Sequence, residues 1–319
     1  MNLQLTGLHH VTAIASDPQQ NVDFYAGLLG LRLVKQTVNF DDPQSYHFYY
    51  GDGVGSPGTL LTFFAWPHGR RGRAGLRQVT AASLAIGPNS LDFWRERLTV
   101  HGVVPPEPQT RFGETVLGFN DPDGMRLELV PTAEDARTGW TEGPVPAEHA
   151  IKGVRAVTLP ERSTDRTVAL LTETLGFRAI ATDGVGTRYA LGENPATFAD
   201  VFFAPNLVSG QIAVGTIHHV AWRTPDDAQQ DAWHKDIARQ GYGVSPVMDR
   251  DYFHSIYFRE PGGILFEIAT DPPGFAIDES PETLGERLQL PSQYEPMRAQ
   301  IRAQLPPIHV PGSKRTTDE

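Results

Sequence analysis

The chain repeats one structural unit four times, and this repeat restricts its fold more than any other feature. Each copy has a short strand, then a helix that ends at a glycine, then several short strands. The opening strands of the first and fourth copies read Leu8-His9-His10-Val11-Thr12 and Ile217-His218-His219-Val220. In both copies the second histidine lies seven positions before an aspartate. The repeat therefore predicts histidine pairs at equivalent places in two copies.

The second and fourth copies share their closing segments. Phe119–Glu128 and Phe258–Glu267 place phenylalanine, proline, glycine and glutamate in the same register, and the Pro-x-Gly step predicts a tight turn between two strands. The third copy, which begins near Gly153, is the most degenerate, and it carries Ala156 where the first copy has His10. Only the fourth copy combines a histidine on its first strand with a glutamate on its last.

The order of copies gives the predicted domain organisation. Units one and two occupy residues 1–135, and units three and four occupy residues 151–271. A linker rich in proline, glycine and acidic residues covers 136–150, and a C-terminal tail covers 272–319. Predicted helices span about Leu91–Leu98, Thr164–Leu175, Asp227–Arg239 and, in the tail, Tyr294–Leu305.

Composition narrows the function to small-molecule chemistry. A net charge of −11 argues against a nucleic-acid partner or an anionic membrane surface, both of which require a basic face. The chain has no cysteine, so a metal would have to be bound by His, Asp, Glu or Tyr. No signal sequence and no run of 18 apolar residues occurs, so we expect a cytoplasmic protein without a membrane partner.

Four βαβββ units in one chain resemble the vicinal oxygen chelate superfamily. That superfamily includes glyoxalases, extradiol dioxygenases, and fosfomycin and bleomycin resistance proteins. The resemblance implies an α+β fold in which units pair into cupped mixed sheets. It also implies a metal in the cup, held by side chains of the first and last strands.

The distribution of candidate ligands decides which units pair. If adjacent units paired, each cup would hold one histidine and one glutamate, which are too few ligands for firm binding. If unit one pairs with unit four, one cup gathers His10, His219 and Glu267. Two histidines and one carboxylate are the facial triad of non-heme iron sites with open coordination positions. We therefore predict this pairing, with Glu128 a structural or surface carboxylate.

The histidine pairs carry a second prediction. Side chains alternate along a strand, so His9 and His10 should point to opposite faces, and His218 and His219 likewise. One member of each pair would then bind the metal while the other serves elsewhere.

Within the superfamily, the chain most resembles the hydroquinone-type ring-cleaving dioxygenases. The motifs that carry this resemblance are distributed along the whole chain: Leu8-His9-His10-Val11-Thr12, Tyr46-His47-Phe48-Tyr49-Tyr50, Gly55-Ser56-Pro57-Gly58-Thr59, Thr110-Arg111-Phe112-Gly113, Ile217-His218-His219 and Asp249-Arg250-Asp251-Tyr252-Phe253. The resemblance implies Fe(II) or Mn(II) on the triad, with an aromatic substrate and O₂ as the reacting partners.

The same resemblance implies roles around the substrate. His9, Thr12, His218 and Arg250 match the positions that surround it, and Tyr257 matches the active-site tyrosine. The residues alone also allow plainer interpretations. Tyr257 could be a core aromatic, Arg250 could pair with Asp249 or Asp251 at the surface, and His47 could be a hydrogen-bonded core histidine.

Two other functions stay open at this point. A glyoxalase-type isomerase or hydrolase would use Zn(II) or Ni(II), and such sites usually have a fourth protein ligand. Here the fourth position is expected around Phe63 to Phe64, where no side chain can bind a metal. A binding protein that sequesters an aromatic toxin or antibiotic is the other alternative. Assembly into a homo-oligomer is left open.

Overall fold

A computed structural model gives the fold and describes residues 3–184, 186–192 and 196–312. Residues 313–319, the end of the predicted C-terminal tail, lie outside the described residues. Among the helices of the described residues, none combines the length and the apolar character needed to cross a membrane.

Within the described residues, sixteen strands fall into four groups of four that follow the predicted units. Unit one contains β1 (Leu8–Ala15), β2 (Arg32–Asn39), β3 (Asp42–Gly51) and β4 (Leu60–Ala65). Unit two contains β5 (Ala81–Ile86), β6 (Gln109–Arg111), β7 (Glu114–Asn120) and β8 (Arg126–Pro131). Unit three contains β9 (Gly153–Glu161), β10 (Arg178–Asp183), β11 (Gly186–Ala190) and β12 (Phe198–Phe203). Unit four contains β13 (Thr216–Thr224), β14 (Met248–Asp249), β15 (Phe253–Arg259) and β16 (Leu265–Pro273).

The strands form two curled mixed sheets of eight, which confirms the predicted α+β fold. The first sheet has the order β14-β15-β16-β13-β1-β4-β3-β2, and the second has β10-β11-β12-β9-β5-β8-β7-β6. Unit one therefore pairs with unit four, as predicted from the candidate ligands, and unit two pairs with unit three. Each sheet takes strands from both sides of segment 136–150. The predicted domain boundaries at residues 135, 150 and 271 follow the order of the units along the chain, and they stay a prediction.

The helices match the predicted positions but not always the predicted type. They are α1 (Pro18–Val22), α2 (Leu91–Val100), α3 (Asp165–Ala169), α4 (Asp227–Arg239) and α5 (Arg298–Gln304). After α1 and α3 the chain continues as π-helix, over Asp23–Leu28 and Leu170–Thr174. Before α5, Ser292–Met297 is a 3₁₀ helix. Gly30, the glycine that follows the helical segment of unit one, has a φ of 69°, which favours glycine.

The segment after β16 packs against the first sheet. Lys35 is fully buried, and its Nζ lies 2.5 Å from carboxylate oxygens of both Asp278 and Glu279. Phe275 stacks on Tyr252, with ring centroids 4.9 Å apart. A buried lysine needs such partners, because removing an unpaired ammonium from water costs several kcal/mol. This part of the predicted tail is therefore built into the core.

The hairpin turn of unit four is held by a buried pair of carboxyl groups. Glu260 accepts hydrogen bonds from Thr167 Oγ1 at 2.6 Å and from the backbone of Gly262 and Ile264 at 2.8 Å. Glu161, at the end of β9, is hydrogen-bonded to Glu260. Burial and the neighbouring Glu260 carboxylate raise the pKa of Glu161. Glu161 therefore keeps its proton in the folded protein at a pH where a free glutamate has lost it.

This pair predicts a pH dependence of stability. Because the folded-state pKa of Glu161 is raised, its contribution is fully present below the ordinary glutamate pKa and is lost as the pH rises through the raised value. We expect the free energy of unfolding of Glu161→Gln to fall less with rising pH than that of the wild type, since the amide cannot ionise. Urea unfolding between about pH 5 and pH 9 measures this. The exposed Glu173→Gln is the control, and identical slopes for Glu161→Gln and the wild type would contradict the assignment.

Candidate metal centre

The two histidine pairs lie at β-bulges where the first and fourth units meet. β1 runs antiparallel to β13, with His10 opposite Ala221 and Thr12 opposite His219. The register shifts once beside His9 and once beside His218, so each strand has one extra residue at its first histidine. The two bulges are related by the approximate two-fold symmetry of the paired units.

The bulges overturn the prediction that neighbouring histidines point to opposite faces. His9 Nδ1 lies 2.9 Å from His10 Nδ1, and His218 Nδ1 lies 2.7 Å from His219 Nδ1. Both rings of the first pair also contact Phe253, with centroids 5.0 and 5.1 Å away. Strict alternation fails here because the extra residue of a bulge is unpaired and leaves the regular pleat.

Three ligand atoms converge in the first sheet, as predicted. His10, His219 and Glu267 are buried, and their ligand atoms all lie within 4.8 Å of one another. Glu267 Oε2 lies 2.9 Å from His219 Nε2 and 3.3 Å from His10 Nε2, and the two Nε2 atoms are 3.3 Å apart. Among the described residues, this is the one group of three or more such side chains that could hold a metal ion.

The charges and hydrogen bonds of this group fit a divalent metal ion. Glu267 Oε2 is buried and makes no hydrogen bond of good geometry with the described residues, which leaves it free to coordinate. Its other oxygen, Oε1, accepts a short hydrogen bond from Ser255 Oγ. Burial raises the pKa of Glu267, but His10 and His219 outweigh this and hold it well below its usual range. Burial lowers the pKa of His219, so its imidazole is neutral, the form that binds metal.

His9 and His218 support the two ligands rather than line the cavity beside them. If Nε2 of His10 and His219 binds metal, Nδ1 carries the hydrogen and donates to the Nδ1 of the neighbouring histidine. His9 also makes a hydrogen bond with the backbone of Thr270, which agrees with a hydrogen on its Nε2. Burial lowers the pKa of His9 well below its usual range and that of His218 to about 3, so both rings are neutral.

A small cavity opens beside the ligand group. The rings of Phe40, Phe64 and Phe253 form its apolar wall, and Thr12, Arg250 and Tyr257 are among its polar residues. Of the five residues predicted to surround the substrate, Thr12, Arg250 and Tyr257 line the cavity.

Arg250 and Tyr257 form one unit in the cavity wall. Arg250 is hydrogen-bonded to Tyr257, and its Nη2 lies 3.8 Å from Asp41 Oδ2. The interpretation of Arg250 as a surface partner of a neighbouring aspartate is therefore wrong, since its side chain is 16% exposed and faces the cavity. Burial and the Glu267 carboxylate raise the pKa of Tyr257, so its phenol is protonated.

The fourth position of the cup holds Thr62, one residue before the predicted phenylalanines. Ala221 on β13 pairs with Glu267 on β16, and the equivalent Thr12 on β1 pairs with Thr62 on β4. Tyr257 pairs with Glu267 in the same way that Tyr49 pairs with Thr62. A threonine hydroxyl is a poor ligand for a divalent metal, so the group keeps three protein ligands. Sequence spacing alone could not give this register.

A family model for the "Glyoxalase/Bleomycin resistance protein/Dioxygenase superfamily" matches residues 7–129 and 153–268. These two ranges cover well over half of the chain. The chain belongs to this superfamily.

Two curated members of the superfamily are similar over nearly their whole length. MhqO of Bacillus subtilis (strain 168), whose assignment as a ring-cleaving dioxygenase is itself provisional, is 49% identical over 304 residues, with 95% of this chain and 97% of the relative covered. The chlorohydroquinone/hydroquinone 1,2-dioxygenase of Sphingobium indicum is 34% identical, with 93% and 95% covered.

Solved structures agree with the fold. A crystal structure of a B. subtilis protein, provisionally described as a dioxygenase, is 48% identical with a TM-score of 0.93, and 96% of this chain and 98% of that chain are covered. Glyoxalase I from Zea mays has a TM-score of 0.64 at 14% identity, with 83% and 92% covered, which supports the superfamily fold alone.

The second sheet of this superfamily member has arginines where the first has its metal-binding group. Glu128, at the register position of Glu267, is held by Arg111 at 2.5 and 3.0 Å and by Ser83 Oγ at 2.6 Å. Asp200, at the equivalent position of unit three, lies 2.7 and 2.9 Å from Arg188. Glu128 is therefore a buried structural carboxylate, one of the two roles expected for it.

These geometries predict which glutamate binds metal. Glu267→Gln, His10→Ala and His219→Ala should each abolish stoichiometric binding of Fe(II) or Mn(II), because each removes one of three ligands. Glu128→Gln is the matched control, since it removes a buried carboxylate at the equivalent register position, and it should keep about one ion per chain. Metal content after anaerobic reconstitution measures both. If Glu128→Gln loses the metal and Glu267→Gln retains it, the metal site lies in the second sheet and the prediction is wrong.

Proposed function

We propose that the protein is a ring-cleaving dioxygenase that opens a dihydroxylated aromatic ring, of the hydroquinone or catechol type, with O₂. Fe(II) or Mn(II) would be held by His10, His219 and Glu267. The observation that carries the proposal is a three-ligand group, open at its fourth position, beside a small cavity lined by aromatic rings.

The cavity wall favours a flat aromatic ligand with an anionic oxygen. Phe40, Phe64 and Phe253 supply apolar and ring-edge contacts that suit stacking against an aromatic ring. The guanidinium of Arg250, beside the protonated phenol of Tyr257, supplies positive charge and hydrogen-bond donors. An aromatic substrate with one deprotonated hydroxyl group would pack its ring against the phenylalanines and place its anionic oxygen beside Arg250 and Tyr257.

The side chains of this chain would bind and orient the ring. The charge of Arg250 lowers the pKa of a phenol bound beside it, which favours its binding as a phenolate. Tyr257 Oη, kept protonated by burial and by Glu267, can donate a hydrogen bond to the same oxygen. Phe253 contacts both His9 and His10 and covers the ring of the ligand His10. A bound Fe(II) or Mn(II) would supply coordination positions for the phenolate and O₂ and a path for electron transfer between them.

The names of the relatives support the same chemistry. One is named for cleavage of chlorohydroquinone and hydroquinone, and MhqO is provisionally named a ring-cleaving dioxygenase. The glyoxalase alternative lacks support at the fourth position, where Thr62 stands in place of a carboxylate. A cytoplasmic location and a small soluble aromatic substrate are also part of the proposal.

Oxygen consumption tests the proposed function. The protein reconstituted anaerobically with Fe(II) or Mn(II), and shown to hold about one ion per chain, should consume one O₂ per ring with hydroquinone or with catechol. Loss of the aromatic ultraviolet absorbance without release of hydrogen peroxide distinguishes ring cleavage from oxidation to a quinone. Glu267→Gln should be inactive. No O₂ uptake with either compound by the metal-loaded wild type would refute ring cleavage.

A further inference from the structure

Three side chains opposite Glu267 form a buried hydrogen-bond chain that ends at Thr12. Tyr49 Oη lies 3.0 Å from His47 Nδ1, and His47 Nε2 lies 3.0 Å from Thr62 Oγ1. Thr62 Oγ1 lies 2.8 Å from Thr12 Oγ1. All four side chains are buried, with His47, the most accessible, at 7% exposure.

The chain occupies the half of the cup that lacks a ligand. Thr62 stands at the register position of Glu267, and Tyr49 stands at that of Tyr257. In unit four this position supplies a carboxylate to the metal-binding group. In unit one it supplies the hydroxyl of Thr62, which is hydrogen-bonded to Thr12. Thr12, His47 and Tyr49 all line the cavity.

The tyrosine end favours one direction for the hydrogen bonds. A phenol is a better donor and a weaker acceptor than an aliphatic hydroxyl, so Tyr49 Oη–H donates to His47 Nδ1. His47 then carries its hydrogen on Nε2 and donates to Thr62, which donates to Thr12. The hydroxyl hydrogen of Thr12 is left to point into the cavity, where an anionic oxygen near His10 would accept it.

The two titratable side chains of this hydrogen-bond chain are uncharged. Burial lowers the pKa of His47 well below its usual range and raises that of Tyr49 well above its usual range, so both are neutral. A cationic His47 would be costly beside the ligand histidines and Arg250, which lower its pKa further. The chain is therefore suited to orienting a hydrogen bond and unsuited to acting as a general base.

We propose that Tyr49, His47 and Thr62 are positioning residues that orient the hydroxyl of Thr12 as a donor, and thereby select ligands that bind through an anionic oxygen. This inference rests on the proposed function in one respect, which is that the anionic oxygen in the cavity belongs to a phenolate. It assigns residues 47, 49 and 62 a role that the metal-binding group does not require.

Binding of 4-nitrophenol tests the proposal without any turnover. The phenolate has its own visible absorbance, so its titration against the anaerobic Mn(II)-loaded protein reports the anionic form. Thr62→Val removes the middle of the chain with almost no change in shape, and we expect about tenfold weaker binding of the phenolate. Thr62→Ser should restore most of the affinity, and Mn(II) content should stay the same in both variants.

Four further variants separate positioning from simple structural damage. Thr37→Val is the matched control, because Thr37 is buried on β2, opposite His47 on β3, and its hydroxyl has no hydrogen-bond partner among the described residues. It should bind the probe like the wild type. Thr12→Val and the double variant Thr12→Val/Thr62→Val should bind equally weakly, since both lack the same final donor. If Thr62→Val does not fold, Tyr49→Phe, which removes the far end of the chain, should also weaken binding of the phenolate.

Wild-type affinity in Thr62→Val, or additive losses in the double variant, would overturn the proposal. So would failure of the Mn(II)-loaded wild type to bind 4-nitrophenolate. These outcomes are separate from those of the oxygen experiment. A protein that consumes no O₂ but shows the expected order of affinities keeps the positioning chain and loses the proposed reaction.

Discussion

The antiparallel pairing of β1 with β13 is the constraint on which the rest of the site depends. These strands are more than 200 residues apart in sequence, yet they bring His10 and His219 to within 3.3 Å at their Nε2 atoms. A slip of one residue would turn the side chains of one strand to its other face and separate the ligands. The bulges at His9 and His218 fix this register and place a supporting imidazole beside each ligand.

The two sheets show two ways to balance buried carboxylates. In the second sheet, Glu128 and Asp200 each face an arginine, and Ala81 and Ala156 stand where the first sheet has His10 and His219. In the first sheet, the partners of Glu267 are two imidazoles and the hydroxyl of Ser255. A buried carboxylate is costly without positive charge nearby, so a divalent ion suits the first cup as arginine suits the second.

Features that follow from the repeat could be predicted from the sequence. Features that depend on the register between paired strands could not. The four units, the α+β fold and the pairing of units one and four followed from the positions of His10, His219 and Glu267. The bulges could not be predicted, because they arise from how two distant strands meet, and so the histidine pairs were wrongly expected to face opposite sides. For the same reason Thr62 was missed as the fourth position. His47, expected as a hydrogen-bonded core histidine, is indeed bonded through both nitrogens but also lines the cavity.

The central claim is that a single metal ion binds between the first and fourth units. A crystal structure of the Mn(II)-loaded protein, with diffraction recorded at the manganese absorption edge, tests this most directly. We expect one strong anomalous peak per chain, bonded to Nε2 of His10, Nε2 of His219 and Oε2 of Glu267, with Ser255 on the other carboxylate oxygen. A peak beside Glu128 and Asp200, or none in the first sheet at saturating Mn(II), would contradict it.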